Sequence, residues 1–158
     1  MGSRDSIKLV ISIGVCLVAG LIGSVFTSSA IPVWYDLLNK PFFSPPNWLF
    51  APVWTLLYIL MGIALFFVWR APKVKKTNEG LMLFGAQLIF NVIWSIAFFG
   101  FRSITGGLLS IVVLLILIVM TTAQIYRIDR RAAYFMLPYL VWVCFAMLLN
   151  ISIYLLNP

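Results

Sequence analysis

The sequence predicts an all-α membrane protein built as a single bundle of five transmembrane helices. Three observations lead there. Of the 158 residues, 63% are hydrophobic and only 9% charged, too little polar material to cover a soluble domain of this size. The apolar residues fall into five runs, each near the ~20 residues that cross a bilayer as a helix. The charges stand at the ends of these runs, not inside them. No second domain or low-complexity tract interrupts the pattern. One domain over residues 1–158 is expected, with helices at 7–28, 47–69, 80–101, 104–126 and 132–156 and a loop at 29–46.

Run one, Ile7–Ser28, follows a polar leader, Met1–Ser6, and pairs small residues four apart, Ala19 with Gly23 and Gly20 with Ser24. Such pairs let helices approach closely. The next connection runs into "KPFFSPPNWLFAPVW", Lys40 to Trp54. Pro41, Pro45 and Pro46 restrict its backbone, so covering a site costs it little entropy. Its aromatics are expected to supply an apolar ceiling. Pro52 falls in the first turns of run two, which predicts a bend there or a helix start later than Asn47. "RAPKVKKTNE" separates run two from run three, and Arg102–Ser103 alone separates runs three and four. That short connection makes runs three and four antiparallel neighbours. Run four is an aliphatic block, "LLSIVVLLILIVM", with Gly106 and Ser110 four apart. "RIDRR" leads into run five, where Pro138 frees a backbone carbonyl one turn earlier.

With five spans, nine of the eleven Lys and Arg residues fall on one side, shared by the N-terminus and loops two and four. Lys40 and Arg102 are on the other. The positive-inside rule then puts the N-terminus in the cytoplasm, with the C-terminus and the proline-rich loop outside, in a multi-pass protein of the cell membrane. This topology accounts for the net charge of +7, and nucleic-acid binding is not expected. Asp5, Asp36, Glu79 and Asp129 are the only acids, all in loops or tails. Without ionisable groups at mid-span, a proton-coupled pump or an acid–base hydrolase is a poor fit. Histidine is absent, and Cys16 and Cys144 both lie in apolar runs. Neither a metal site nor a disulfide is expected. Any chemistry would use reactive parts carried by a ligand.

Three spans carry stripes that could line a ligand site. Gln87, Asn91 and Ser95 recur every four residues in run three, with Trp94 and Phe98 alongside. Amides are costly in hydrocarbon, so this face should point into the bundle, as interhelical hydrogen bonding, as cavity lining, or as both. Run five repeats the spacing with Pro138, Trp142, Ala146 and Asn150. A large ring, a gap and an amide suit a flat ligand, and small-residue helix packing is the alternative. Run two places Ala51, Thr55, Tyr58 and Gly62 on one face, with Trp54 beside Tyr58 and Trp48 at the mouth. Interfacial anchoring accounts for Trp48 and Trp69. It does not account for Trp54, Trp94 and Trp142, which lie deeper.

"WYDLLNKPFFSPPNWLFAPVWTLLYILMG" (Trp34–Gly62) resembles the first loop and second helix of the translocator protein family, also called TspO/MBR or peripheral-type benzodiazepine receptors. "QLIFNVIWSIAFFG" (Gln87–Gly100) and "PYLVWVCFAMLLN" (Pro138–Asn150) resemble its third and fifth helices. The resemblance implies a five-helix bundle, often a homodimer, that binds protoporphyrin IX and benzodiazepine-site drugs inside the bundle under the first loop. It also implies light-dependent oxidative breakdown of the porphyrin, which needs light and oxygen but no permanently bound cofactor. The alternative is passive transport or sensing of porphyrins and similar flat hydrophobic molecules without chemistry. Matched by motif, the ligand-binding residues are Trp54, Gln87, Asn91, Phe98, Trp142, Ala146 and Asn150, with Tyr35, Pro45 and Pro46 in the lid. Trp48, Tyr58 and Trp94 adjoin these and complete the candidate set. Trp54 and Trp142 are the candidates for the photochemistry, because indole is readily oxidised and stacks on a flat macrocycle. One departure is clear. The sterol motif of mammalian members ends in a basic residue, whereas Tyr154 is followed here by "LLNP", which disfavours sterol and favours a tetrapyrrole role as in bacterial members. Without histidine, a metal-free porphyrin suits the site better than haem.

Overall fold

A computed structural model describes residues 2–158. Five helices carry the chain: α1 (Ser3–Ala30), α2 (Phe50–Arg70), α3 (Lys75–Ser95), α4 (Ile104–Tyr126) and α5 (Arg130–Leu156). All five are long and apolar enough to cross a membrane. Their order around the bundle is α1, α2, α5, α4, α3, closing back on α1. Side chains such as Val10, Val18, Leu21 and Val25 stand exposed along α1, as expected where the outer face meets lipid rather than water.

Several helix ends differ from the sequence expectation. α1 and α3 begin earlier than expected, at Ser3 and Lys75, because polar and basic residues extend a helix readily once it leaves the hydrocarbon. Residues 47–49 form a 3₁₀ turn, and α2 proper starts at Phe50. Pro52 is therefore the third helical residue. Its missing N–H is one of the donors that a first turn leaves unpaired, so no bend is needed. α3 ends in a π turn, Ile96–Gly100, in which the Phe101 N–H reaches back to the Ile96 carbonyl. The chain then reverses through Arg102 at φ 52°. Ser103 caps α4, its hydroxyl accepting from the Gly106 N–H at 3.0 Å. The reversal makes α3 and α4 antiparallel neighbours, as expected. Pro138 lies within α5 without ending it.

Close approach of α1 and α2 depends on Gly62. A Cβ there would stand 2.5 Å from Ile13 Cα and 2.9 Å from its backbone nitrogen. Further along, Ser95 of α3 ties α1 by donating to the Gly23 carbonyl (2.9 Å) and sharing a hydrogen bond with Thr27 (2.9 Å). Cys16 is buried and Cys144 exposed, and both are free thiols.

Candidate functional site

The site is built from α2 outward. Trp54 lies just over one turn into α2, with its ring centroid 5.7 Å from Tyr58, 5.8 Å from Trp94 and 6.2 Å from Tyr139. Trp94 in turn stacks on Phe98 at 6.2 Å and meets Phe99 edge-on at 6.0 Å. Below this wall, the Tyr58 hydroxyl donates to Asn91 Oδ1, and Asn91 Nδ2 donates to the Tyr139 hydroxyl at 3.0 Å. One buried amide thus joins α2, α3 and α5. Asn91 and Ser95 both act as interhelical hydrogen-bonding groups, one of the roles open to that stripe.

Two cavities flank the Trp54–Trp94 wall. The larger, about 500 Å³, lies between α1, α2 and α3, and Tyr58, Asn91, Ser95, Gly20 and Thr27 are among its lining. Its rim includes Leu21, Ser24, Ser28 and Thr55 on the exposed side of the bundle. It therefore opens sideways between α1 and α2. Its volume falls within the ~300–1,000 Å³ typical of small-molecule sites. The smaller, about 20 Å³, is lined by Tyr35, Phe98, Trp142, Ala146 and Asn150. That is roughly the room one water molecule takes. Phe50, Trp54, Trp94 and Phe99 border both.

Four buried polar atoms around the smaller cavity have no protein partner: the Tyr35 hydroxyl, Trp94 Nε1, Trp142 Nε1 and Asn150 Oδ1. The Asn150 Nδ2 group is occupied, donating to the Ala146 carbonyl at 2.9 Å. Unpaired buried polar groups are costly. All four belong to residues that line this one small cavity, which has room for a water molecule.

Nine of the thirteen expected residues come together here: Tyr35, Trp54, Tyr58, Asn91, Trp94, Phe98, Trp142, Ala146 and Asn150. Pro45, Pro46, Trp48 and Gln87 border neither cavity. Gln87 is fully buried in α3 with both amide atoms unpaired. Trp48 is 71% exposed, the position of an interfacial anchor. The apolar ceiling also differs from expectation. Phe42 is fully exposed, and Phe43 packs on Phe145 rather than over the cavities. The ceiling comes from Tyr35, whose ring stands 6.0 Å from Phe50, 5.8 Å from Phe99 and 6.2 Å from Phe98. Burial pushes the Tyr35 phenol above its ordinary value.

Sequence reasoning missed Phe50, Phe99 and the α1 side of the larger cavity. Phe50 stands one turn before Trp54, a signal that was readable. The α1 residues Gly20, Gly23 and Ser24 read as a helix-packing stripe, because a wall of small residues looks the same from either role, and Thr27 carried no signal of its own.

The profile of the TspO/MBR family matches residues 12–156. The chain belongs to the TspO/MBR family. It is 43% identical over 157 residues to the "Tryptophan-rich protein TspO" of Chlorobaculum tepidum, covering 99% of both chains. To the protein of the same name from Archaeoglobus fulgidus it is 45% identical over 156 residues, 96% of this chain and 97% of that one. The human "Translocator protein" is 33% identical over 135 residues, 84% of this chain and 80% of its own. TspO/MBR membership and five apolar helices make this a multi-pass membrane protein. No cluster of three or more His, Cys, Asp or Glu side chains is found among the described residues of this TspO/MBR chain.

Proposed function

We propose that the chain binds flat hydrophobic tetrapyrroles, with protoporphyrin IX as substrate, and promotes their light-dependent oxidation by dioxygen. The observation that carries this reading is the Trp54–Trp94 wall, set between a cavity of about 500 Å³ and four unpaired polar atoms. The wall offers a π face for a macrocycle. Three of the polar atoms can donate and Asn150 Oδ1 accepts, which suits a ligand with both carbonyl and N–H groups. The protein's part is to hold the ring, dioxygen and an oxidisable indole together in an apolar site. Trp54 and Trp142 are the proposed redox residues, and benzodiazepine-site drugs would compete for the same space. The protein would work as a homodimer in the cell membrane, its basic end in the cytoplasm.

A second reading rests on the sideways opening between α1 and α2. A cavity that meets the lipid could exchange porphyrins passively, for transport or sensing, without altering them. Illumination of the purified protein with protoporphyrin IX tests the first reading. Bound porphyrin should lose its absorption bands faster than free porphyrin in the same micelles and give a different product. The same product at the same rate would remove the catalytic claim. Protoporphyrin flux down a gradient into proteoliposomes would then favour passive exchange.

A further inference from the structure

We infer that Asn157 latches the lid over the chamber formed by the two cavities on either side of the Trp54–Trp94 wall, and sets how fast a ligand enters and leaves. The inference rests on the proposed reading that the chamber holds a ligand, and it adds a positioning residue that touches no ligand itself. Asn39 in the lid and Asn157 after α5 meet across 118 residues of sequence. The Asn39 N–H donates to Asn157 Oδ1 at 3.0 Å, and Asn157 Nδ2 donates to the Asn39 carbonyl at 3.0 Å. The side-chain amide thus satisfies both backbone groups of one lid residue, as a neighbouring strand would.

The contact also finishes α5. A helix leaves its last four carbonyls without intrahelical partners. Here Asn157 Nδ2 donates to the Ile153 carbonyl at 2.8 Å, and Asn39 Nδ2 reaches the Leu156 carbonyl at 3.4 Å. Asn157 itself sits at φ −131°, not in the left-handed conformation that closes many helices. Its side chain and the lid supply the cap instead. α5 carries Trp142, Ala146 and Asn150, so lid position and chamber wall share one anchor.

A second tie holds the lid's base. Asp36 accepts from Asn47 Nδ2 at 2.7 Å and from Lys40 Nζ at 3.3 Å. Lys40 also donates to the Tyr35 carbonyl at 3.2 Å and stands 4.7 Å above the Tyr35 ring. The segment from Tyr35 to Asn47 is therefore closed at its base by Asp36 and pinned at Asn39 by Asn157. Tyr35, the ceiling of the chamber, is only 1% exposed in this arrangement. The Asn39–Asn157 hydrogen bonds lie at the surface, where water can replace them at small net cost. Such a contact can open and re-form while the buried Tyr58–Asn91–Tyr139 join stays intact.

Only an amide at 157 fits both halves of the contact. Aspartate could accept from the Asn39 N–H but could not donate to the Asn39 or Ile153 carbonyls. Leucine could do neither. N157L should raise hydrogen exchange at Asn39 and the adjoining lid amides by about tenfold in the ligand-free protein, leaving the amides of Tyr139–Asn150 unchanged. N157D should fall between. In stopped-flow mixing with protoporphyrin IX, N157L should speed both association and release. Damage to the site alone would not speed association. The oxidised N39C/N157C pair should slow both rates, and reductant should restore them.

Unchanged lid exchange in N157L would overturn the latch. Faster lid exchange with unchanged porphyrin rates would overturn its control of access and point to the α1–α2 opening. Should wild-type protein bind no protoporphyrin, the proposed function fails, and the exchange measurement by itself decides whether the latch exists.

Discussion

Trp54 and Trp94 stand 5.8 Å apart, inclined by 32°, and together lie between the larger and the smaller cavity described above. Trp142 has no such position. It borders only the smaller cavity, and its ring neighbour is Phe145 at 5.5 Å. The two candidate redox indoles are therefore not equivalent. A macrocycle in the larger cavity lies directly against Trp54, whereas Trp142 faces it only past the wall.

This asymmetry predicts unequal losses. W54F should slow light-driven decay of bound protoporphyrin by on the order of tenfold, because it removes the indole nearest the ring. W142F should cost less, because that indole borders only the smaller cavity, on the far side of the wall. Absorbance decay under constant illumination, at saturating protein, compares the two variants. Equal losses in decay rate would mean that the porphyrin spans both cavities.

The Tyr58–Asn91–Tyr139 join predicts a stability effect distinct from binding. Replacing Asn91 by Ala strands two phenol hydroxyls inside the bundle, at about 1–3 kcal/mol for each group left unsatisfied. Measured interhelical hydrogen bonds in membranes tend to be worth less, about 0.6 kcal/mol on average, so the lower end is expected. Y58F and Y139F should each cost less than N91A. The N91A/Y58F double variant should cost less than the sum of its parts, since the two residues share one bond. Thermal unfolding in detergent would show this, and strict additivity would mean that the bond contributes nothing.

Gly62 offers a sharper steric test. Its added Cβ would meet the backbone of Ile13, which cannot move without shifting α1. G62A should destabilise the bundle by about 1–3 kcal/mol, the usual range for overpacking. It should also widen the α1–α2 opening. Gly14, on the facing helix, has nothing within 4 Å of its Cβ position. G14A should be neutral or slightly stabilising, because alanine is the better helix former. The pair, compared by melting temperature, controls for helix propensity.

How much of this was legible in the sequence depended on whether a residue's role is local. Five spans and the tight turn at Arg102 follow from hydropathy and loop length, and the structure has them. Pro52 left two readings open, a bend or a later start of α2, and the structure takes the later start. The π turn at Ile96–Gly100 left no comparable mark, because no residue type demands it. In the candidate site, the four-residue stripes brought Asn91, Trp142 and Asn150 inward. They did not say that Asn91 would be bonded on both sides while Gln87, one turn away, would have no partner. That difference depends on which tyrosines the neighbouring helices bring opposite, a tertiary fact that spacing along one helix cannot carry. The position of the larger cavity was hidden for the same reason, because it is set by how far α1 stands from α2 beyond Gly62.

The base of the lid should respond to acid, and the sign follows from Asp36. Its carboxyl is held below the ordinary value of 3.8, chiefly by the hydrogen bond from Asn47 and further by Lys40. A carboxylate whose folded value is depressed stabilises the closed form above its ordinary value. That contribution is lost as pH falls through the depressed folded value. The closed lid should therefore be insensitive to pH from neutrality down to about 4, then loosen as the medium becomes more acid. Protonated Asp36 keeps an acceptor for Asn47 but loses its charge opposite Lys40, which frees Lys40 from the ceiling residue Tyr35. D36N removes the titrating group, so its lid should exchange faster at neutral pH and show no further step in acid. Lid exchange rates followed by NMR at fixed temperature, corrected for the intrinsic pH dependence of amide exchange, would show the step in wild type and its absence in D36N. A step of equal size in both proteins would assign it to another acid and leave Asp36 without control of the lid.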